Sequence, residues 1–149
     1  MNVSQDSAKT GNEIFGHLVV AVVTHDHTKI MIVHDGSHQP VLTVRRPGNF
    51  ENKHRGPAQE HHLHHLDPDD EKYYKVLLST IKSASEIMLV GHGTGDSNAM
   101  EGFAEYFRDH APQEFRKVSE MRNANIPALT DGEILKLARF WKEEGRNFA

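Results

Sequence analysis

The run of residues 17–24, HLVVAVVT, is the feature that most restricts the fold of this chain. It is almost continuously apolar and rich in valine, and β-branched side chains favour strands over helices. A strand with one solvated face would alternate apolar and polar residues, so a continuous run predicts a strand buried on both faces. Other elements must then cover the sheet on both sides, and a chain of 149 residues is long enough to build such a core.

Two further strands are predicted directly after this run. Residues 29–34 (KIMIVH) form the return strand of a hairpin whose turn is His25-Asp26-His27. Asp35-Gly36 is a strong turn signal, and residues 40–44 form a third strand that starts at a proline, where a missing N–H is tolerated. The chain therefore begins as a three-stranded antiparallel meander.

The second half of the chain alternates helices and strands. Asp67 caps a helix that starts at Pro68, and an apolar strand covers residues 86–90. Asp96, Ser97 or Asn98 caps a second helix, and residues 115–121 form a strand followed by a loop at 125–127. Thr130 and Glu133 form a capping box for a last helix that ends at Gly145.

The resulting order is β-β-β-α-β-α-β-α, which predicts an α/β protein with a ribonuclease H-like mixed sheet covered by helices. Residues 14–149 form one domain, and the polar residues 1–13 form a flexible N-terminal tail. Two-metal nuclease chemistry needs several carboxylates on the sheet. The predicted strands offer almost none, and Asp35 and Glu86 lie at strand ends, so nuclease activity is not expected.

Composition excludes several function classes. The net charge of -4 argues against a general nucleic-acid coat, and no DNA partner is expected. The chain has no cysteine, which excludes disulfides and thiolate metal sites. The sequence has neither a signal peptide nor an apolar run of the roughly 20 residues that a membrane span needs. We expect a cytoplasmic protein without a membrane partner.

Residues 45–67, RRPGNFENKHRGPAQEHHLHHLD, form the one long segment without apolar periodicity. A polar loop of this length inside a domain is usually functional or mobile. Its first half is a local basic patch suited to RNA phosphates. The predicted contacts are Arg45, Arg46, Lys53, His54 and Arg55.

The second half of the loop carries His61-His62-x-His64-His65. On a helix His61, His64 and His65 would share one face, as three zinc ligands must. The cluster lacks the His-Glu-x-x-His pattern, so a solvated segment that titrates near pH 6.5 and a segment whose imidazoles contact RNA are both alternatives. No cofactor is expected unless this cluster binds zinc.

The strand-to-helix turn GHGTGDS is the other candidate site, for an anion. Glycines allow a tight turn, and a helix N-terminus then exposes free N–H groups. The candidate residues are Gly91, Gly93, Gly95 and Ser97. The spacing matches neither the dinucleotide fingerprint nor a P-loop, so a tight structural connection between strand and helix is the favoured explanation. No nucleophile and no catalytic residue can be assigned.

The meander, the loop, the long helix and then EIMLVGHGTGDSNAMEGFAEYF resemble the middle domain of archaeal and eukaryotic class I peptide-chain release factors and of Pelota. They are also similar to small bacterial proteins of the translational machinery. The release-factor loop reads Lys-His-Gly-Arg-Gly-Gly-Gln, and the matching stretch here is KHRGPAQ, residues 53–59. Pro57 and Ala58 replace the two glycines whose backbone freedom brings the glutamine to the ester bond of peptidyl-tRNA.

The resemblance implies a translation-associated protein that binds the ribosome, ribosomal RNA or transfer RNA. Its loop, including Gln59, would contact RNA without releasing the peptide. Pelota likewise lacks the Gly-Gly-Gln motif and acts as a rescue factor. Rescue and dormancy both remain open, and so does the alternative of a metal-binding protein or metal-dependent hydrolase that uses the histidines of residues 61–65.

Overall fold

The computed structural model describes residues 14–33, 40–47, 68–93 and 98–148. The elements follow in the order β1 (Leu18–Val23), β2 (His27–Ile32), β3 (Pro40–Arg45), α1 (Pro68–Ile81), β4 (Glu86–Gly91), α2 (Ala99–His110), α3 (Pro112–Phe115), β5 (Val118–Asn123), a 3₁₀ turn (Ile126–Ala128) and α4 (Asp131–Phe148). The predicted order of strands and long helices is confirmed.

The five strands form one open sheet in the order β3-β2-β1-β4-β5. β2 runs antiparallel to β1 and β3, whereas β4 runs parallel to both β1 and β5. The mixed sheet and its order confirm the predicted ribonuclease H-like class. β1 is the central strand, as its continuous apolar sequence requires.

Helices cover both faces of the sheet. On one face Val19, Ala21 and Val23 of β1 pack with α1 and α2 in the larger core. On the other face Val20 and Val22 pack with Ile134, Leu135, Ala138 and Trp141 of α4. The alternation of β1 side chains between two apolar cores explains why the strand has no polar face.

The structure corrects the starts of two predicted strands. β2 starts at His27 rather than at residue 29, because Thr24 and His27 close the turn with a backbone bond of 3.0 Å and leave only residues 24–26 between the strands. β5 starts at Val118 rather than at residue 115, because Pro112 begins the short α3, whose Phe115 packs edge-on against Phe107 at 5.2 Å.

The last helix does not end at Gly145. A glycine that ends a helix commonly adopts a left-handed φ. Among the described residues only Gly16 and Gly93 have a positive φ, and α4 continues to Phe148. No helix in the described part of the chain is long and apolar enough to cross a membrane.

Candidate functional site

One edge of the sheet collects most of the described candidate residues. β1, β3, β4 and β5 all run in one direction, so their carboxyl ends meet at the same edge. We call it the carboxyl edge, and it consists of residues 24–27, 45–47, 91–93, 98 and 123–124. In α/β sheets this is the edge where ligands usually bind.

The β1–β2 turn at the carboxyl edge is held by its own side chains. The Thr24 hydroxyl donates to the His27 carbonyl at 2.6 Å and lies 2.9 Å from Asp26 Oδ1. Asp26 Oδ1 also lies 3.0 Å from His27 Nδ1. Burial acts to raise the pKa of Asp26, but the hydrogen bonds from Thr24 and His27 outweigh it, so the pKa lies below its ordinary value. The carboxylate therefore stays charged and orients the imidazole.

Tyr73 of α1 forms hydrogen bonds with residues at this turn. Its hydroxyl donates to the Thr24 carbonyl at 2.9 Å and lies 2.7 Å from the buried Thr28 hydroxyl. Burial raises the pKa of Tyr73 well above its ordinary value. The turn is thus tied to the helix that follows the polar loop.

Arg45 is the last residue of β3 and Arg46 follows it, and their side chains have opposite environments. Arg45 is exposed, and it lies opposite His27 in the strand register. The side chain of Arg46 is only 5% exposed and forms an ion pair with Asp70 in the first turn of α1. The Arg46 backbone N–H also donates to the Asp26 carbonyl at 3.0 Å.

These contacts join the two ends of the polar loop, because Arg46 lies at its start and Asp70 follows its end. Arg45 remains available to an RNA phosphate. A phosphate contact from Arg46 would have to replace its ion pair with Asp70.

The turn after β4 is built around Asn98. Its Oδ1 accepts from the Glu101 N–H at 3.2 Å and so caps α2. Its Nδ2 donates to the Gly93 carbonyl at 3.1 Å and to Asn123 Oδ1 at 2.6 Å. One buried amide therefore joins β4, α2 and β5. Among the three predicted caps the structure selects Asn98; Asp96 and Ser97 lie outside the described residues.

Packing explains the glycine at position 91. A Cβ there would lie 2.6 Å from both Asn98 Oδ1 and Met100 Cβ, closer than atoms can approach. Gly93 has a φ of +96°, a conformation that favours glycine. Packing therefore explains Gly91 and backbone conformation explains Gly93, and neither glycine requires a bound ligand. Anion binding at Gly91 and Gly93 stays a prediction.

His92 is the remaining titratable residue of this turn, and its ring orientation is fixed. Its Nδ1 lies 3.0 Å from the Ala124 carbonyl, which can only accept, so Nδ1 carries the proton. The side chain is exposed.

Several predicted site residues lie outside the described residues. They are Lys53, His54, Arg55, Gln59, His61, His64, His65, Gly95 and Ser97. Within the described ranges no group of three or more His, Asp or Glu side chains could hold a metal ion. That finding covers His25-Asp26-His27 but not the histidine cluster, so zinc binding at residues 61–65 stays a prediction.

Sequence reasoning missed the roles of Asn98, Tyr73 and Asp70. In the sequence Asn98 is one of three possible caps, and Tyr73 and Asp70 are two ordinary residues of the helix that starts at Pro68. Each of them acts through a contact with a residue distant in sequence, which no local pattern contains.

A groove of about 340 Å³ lies at the other end of β4, between β4, β5 and α4. Met88 and Trp141 line it, and the ion pair between Glu86 and Lys142 closes one wall. Burial acts to raise the pKa of Glu86, but the hydrogen bond from Lys142 contributes to a net lowering. The groove is separate from the carboxyl edge.

Comparison with known proteins gives a fold and no family. No protein-family model and no curated sequence matches the chain. The structure of Pelota from Archaeoglobus fulgidus matches 92% of this chain with a TM-score of 0.52 at 6% identity. Pelota from Thermoplasma acidophilum matches 90% with a TM-score of 0.51 at 17% identity. The chain spans 35% and 36% of those two chains, about a third of their length. The predicted similarity to Pelota is confirmed at the level of the fold.

Proposed function

We propose that this chain is a cytoplasmic, translation-associated protein that binds the ribosome through the polar loop of residues 45–67. Ribosomal or transfer RNA is the surface that the loop contacts. The role is ribosome rescue or dormancy, and peptide release is not part of it because Pro57 and Ala58 replace the catalytic glycines.

The proposal rests on one observation, namely that an ion pair holds the two ends of the loop together. Arg46 and Asp70 hold its two ends together at the carboxyl edge, and its first residue, Arg45, is exposed. This loop occupies the position between the third strand and the long helix at which the sequence resembles the release-factor loop. The fold shared with Pelota supports the same alignment of elements.

The chemistry of the loop fits RNA better than protein. Arg45, Lys53 and Arg55 supply cations within eleven residues, while the chain as a whole is acidic. Phosphate contacts by such cations release counterions, so affinity falls steeply with salt. Binding should therefore be strong at low salt and lost at a few hundred millimolar.

Co-sedimentation with ribosomes on sucrose gradients tests the proposal. The untagged protein should sediment with ribosomal particles at low salt, in lysates of growing or stationary cells. The triple variant Arg45→Ala, Lys53→Ala, Arg55→Ala should remain at the top of the gradient. A matched triple variant of exposed helix lysines, Lys72→Ala, Lys75→Ala, Lys136→Ala, should sediment like the wild type.

Wild-type protein that stays at the top of every gradient would overturn the proposal. Equal loss in the two triple variants would overturn the role of the loop, because it would indicate non-specific charge attraction. A hydrolysis assay on peptidyl-tRNA should give the same rate for the wild type and for Gln59→Ala.

A further inference from the structure

The amino ends of the strands form a second edge, opposite the carboxyl edge. We call it the amino edge, and it consists of residues 14–17, 82–85 and 116–118. Backbone hydrogen bonds join these three segments: Gly16 N–H donates to the Ser83 carbonyl at 3.3 Å, Ser85 N–H to that of His17 at 2.9 Å, and Ile87 N–H to that of Lys117 at 2.9 Å. Residues distant in sequence are therefore fixed side by side.

Phe15 is displayed at the tip of this edge. Ile14 is fully buried before it, and Gly16 follows with a φ of +80°. His17 N–H donates back to the Ile14 carbonyl at 3.0 Å and closes the turn. The turn points the phenyl ring outward, so that Phe15 is 72% exposed, more than any other large apolar residue of the described chain.

Cationic residues lie on the two segments that are joined to the turn of Phe15 at the amino edge. Lys117 Nζ donates to the carbonyls of Lys82 and Ala84, at 2.6 and 3.0 Å, and so closes the end of α1. The Lys117 side chain therefore has a structural role. The neighbouring side chains of Lys82 and Arg116 are exposed. Within residues 14–17, 82–85 and 116–118 the only Lys, Arg, Asp and Glu side chains are Lys82, Arg116 and Lys117, all cations. Glu114 and Glu86 flank these segments, and Glu86 forms an ion pair with Lys142.

We propose that the amino edge binds a single-stranded RNA segment, with one base stacked on Phe15 and the adjoining phosphates paired with Lys82 and Arg116. A ring beside cations is the arrangement that binds single strands without reading their sequence. This goes beyond the proposed function, which assigns RNA binding only to the loop. A six-residue strand separates the two edges by roughly 20 Å, so one molecule contacts RNA at two separate places.

An acidic protein segment is the competing partner, and the surface argues against it. Protein interfaces have a contiguous apolar core within a polar rim. Of the other exposed large apolar residues in the described chain, Val76 lies within α1, Met121 within β5 and Phe140 within α4, all outside the amino edge. One isolated ring offers enough surface for a base but not for the core of a protein interface.

Fluorescence anisotropy with a labelled twelve-nucleotide oligouridine tests the proposal. Phe15→Ala should weaken binding about tenfold, the loss expected for one stacked base. Phe140→Ala is the matched control, since Phe140 is also exposed (58%) but lies on α4, and it should bind like the wild type. Both side chains are exposed, so both variants should have the same midpoint of urea unfolding as the wild type.

The charge contribution has its own pair of variants. Lys82→Ala with Arg116→Ala should reduce the slope of log K against log salt by about 1.4, because each single-strand phosphate contact contributes about 0.7. Lys75→Ala with Lys136→Ala should leave the slope unchanged. In the background of the triple loop variant the effect of Phe15→Ala should persist, because separate sites contribute additively.

Oligouridine binding by Phe15→Ala at wild-type affinity would overturn this inference. So would equal weakening by Phe140→Ala, or tighter binding of an acidic peptide than of the oligonucleotide. None of these results would contradict the outcome expected for the ribosome gradients. Failure of the wild type to sediment with ribosomes, together with normal oligouridine binding at Phe15, would overturn the proposed function and leave this inference standing.

Discussion

Single side chains at the carboxyl edge carry contacts between elements that are far apart in sequence. Asn98 is the clearest case, since one amide caps α2 and also bonds to Gly93 and Asn123. Arg46 has a comparable role on the other side of the edge through Asp70. Both residues are polar and buried, so their replacement leaves unpaired groups in the interior.

Asn98→Ala should lower the free energy of unfolding by about 2 kcal/mol, because it removes a helix cap and leaves the Gly93 carbonyl without its amide donor. Urea denaturation measures the change. Asn125→Ala is the control: Asn125 precedes the 3₁₀ turn without a side-chain cap bond, and its loss should change stability by less than about 0.5 kcal/mol. Equal effects of the two variants would contradict the assigned role.

Substitutions of Arg45 and Arg46 should have different effects, one on ribosome binding and the other on the free energy of unfolding. Arg46→Met leaves Asp70 without its buried cation and should lower the free energy of unfolding by about 2 kcal/mol, less than for a fully buried pair because Asp70 is partly exposed. Arg45→Met should change stability by less than about 0.5 kcal/mol but weaken ribosome binding at low salt. Urea denaturation and gradient sedimentation of the same two proteins check this, and the reverse ranking in either assay would refute it.

At the scale of elements, the helices depend on caps and on glycine positions. The predicted capping box exists: Thr130 Oγ1 accepts from the Glu133 N–H at 3.1 Å, and Glu133 Oε1 accepts from the Thr130 N–H at 2.8 Å. α4 then runs through Gly145 to Phe148. A glycine in a helix interior costs stability relative to alanine unless a close approach requires it.

Gly145→Ala should therefore raise the free energy of unfolding by about 0.5–1 kcal/mol, since a Cβ at this position meets no atom within 4 Å. Gly91→Ala is the opposite case, because its Cβ would collide with Asn98 and Met100, and it should destabilise by about 1–3 kcal/mol. Thermal and urea unfolding of the two variants give the comparison. A loss of stability in Gly145→Ala would mean that α4 ends earlier.

At the scale of the whole molecule, one sheet separates two apolar cores and presents two chemically different edges. The larger core contains Tyr73 and Tyr74, both buried. Burial raises the pKa of each hydroxyl above its ordinary value of 10.0. The native state therefore keeps protons that the unfolded chain releases in alkali.

The sign of the pH dependence follows from this linkage. A raised native pKa contributes stability that is fully present below about pH 10 and is lost as pH rises toward the native value. Above pH 10 each such tyrosine should reduce the free energy of unfolding by about 1.4 kcal/mol per pH unit. Urea unfolding between pH 8 and 11 should show a shallower decline for Tyr73→Phe than for the wild type. Parallel declines would contradict the buried, protonated state of Tyr73.

The sequence by itself determined the order of elements, the central buried strand and the capping box, because these depend on patterns within a few residues. Residues 17–24 show it best: their unbroken apolar run already requires a sheet covered on both faces. The start of α1 at Pro68 is equally local. The resemblance to Pelota rested on this order and is confirmed as a likeness of fold.

Only the tertiary structure decided which side chains act together. Arg45 and Arg46 are adjacent residues of the same type. Even so, the Arg45 side chain is exposed, whereas the Arg46 side chain is buried against Asp70. Phe15 is an ordinary apolar residue in the sequence, and its exposure follows from a glycine turn and from hydrogen bonds between distant segments. The physical reason is the same in each case: burial and pairing depend on neighbours that folding supplies, whereas propensity and capping depend on the chain itself.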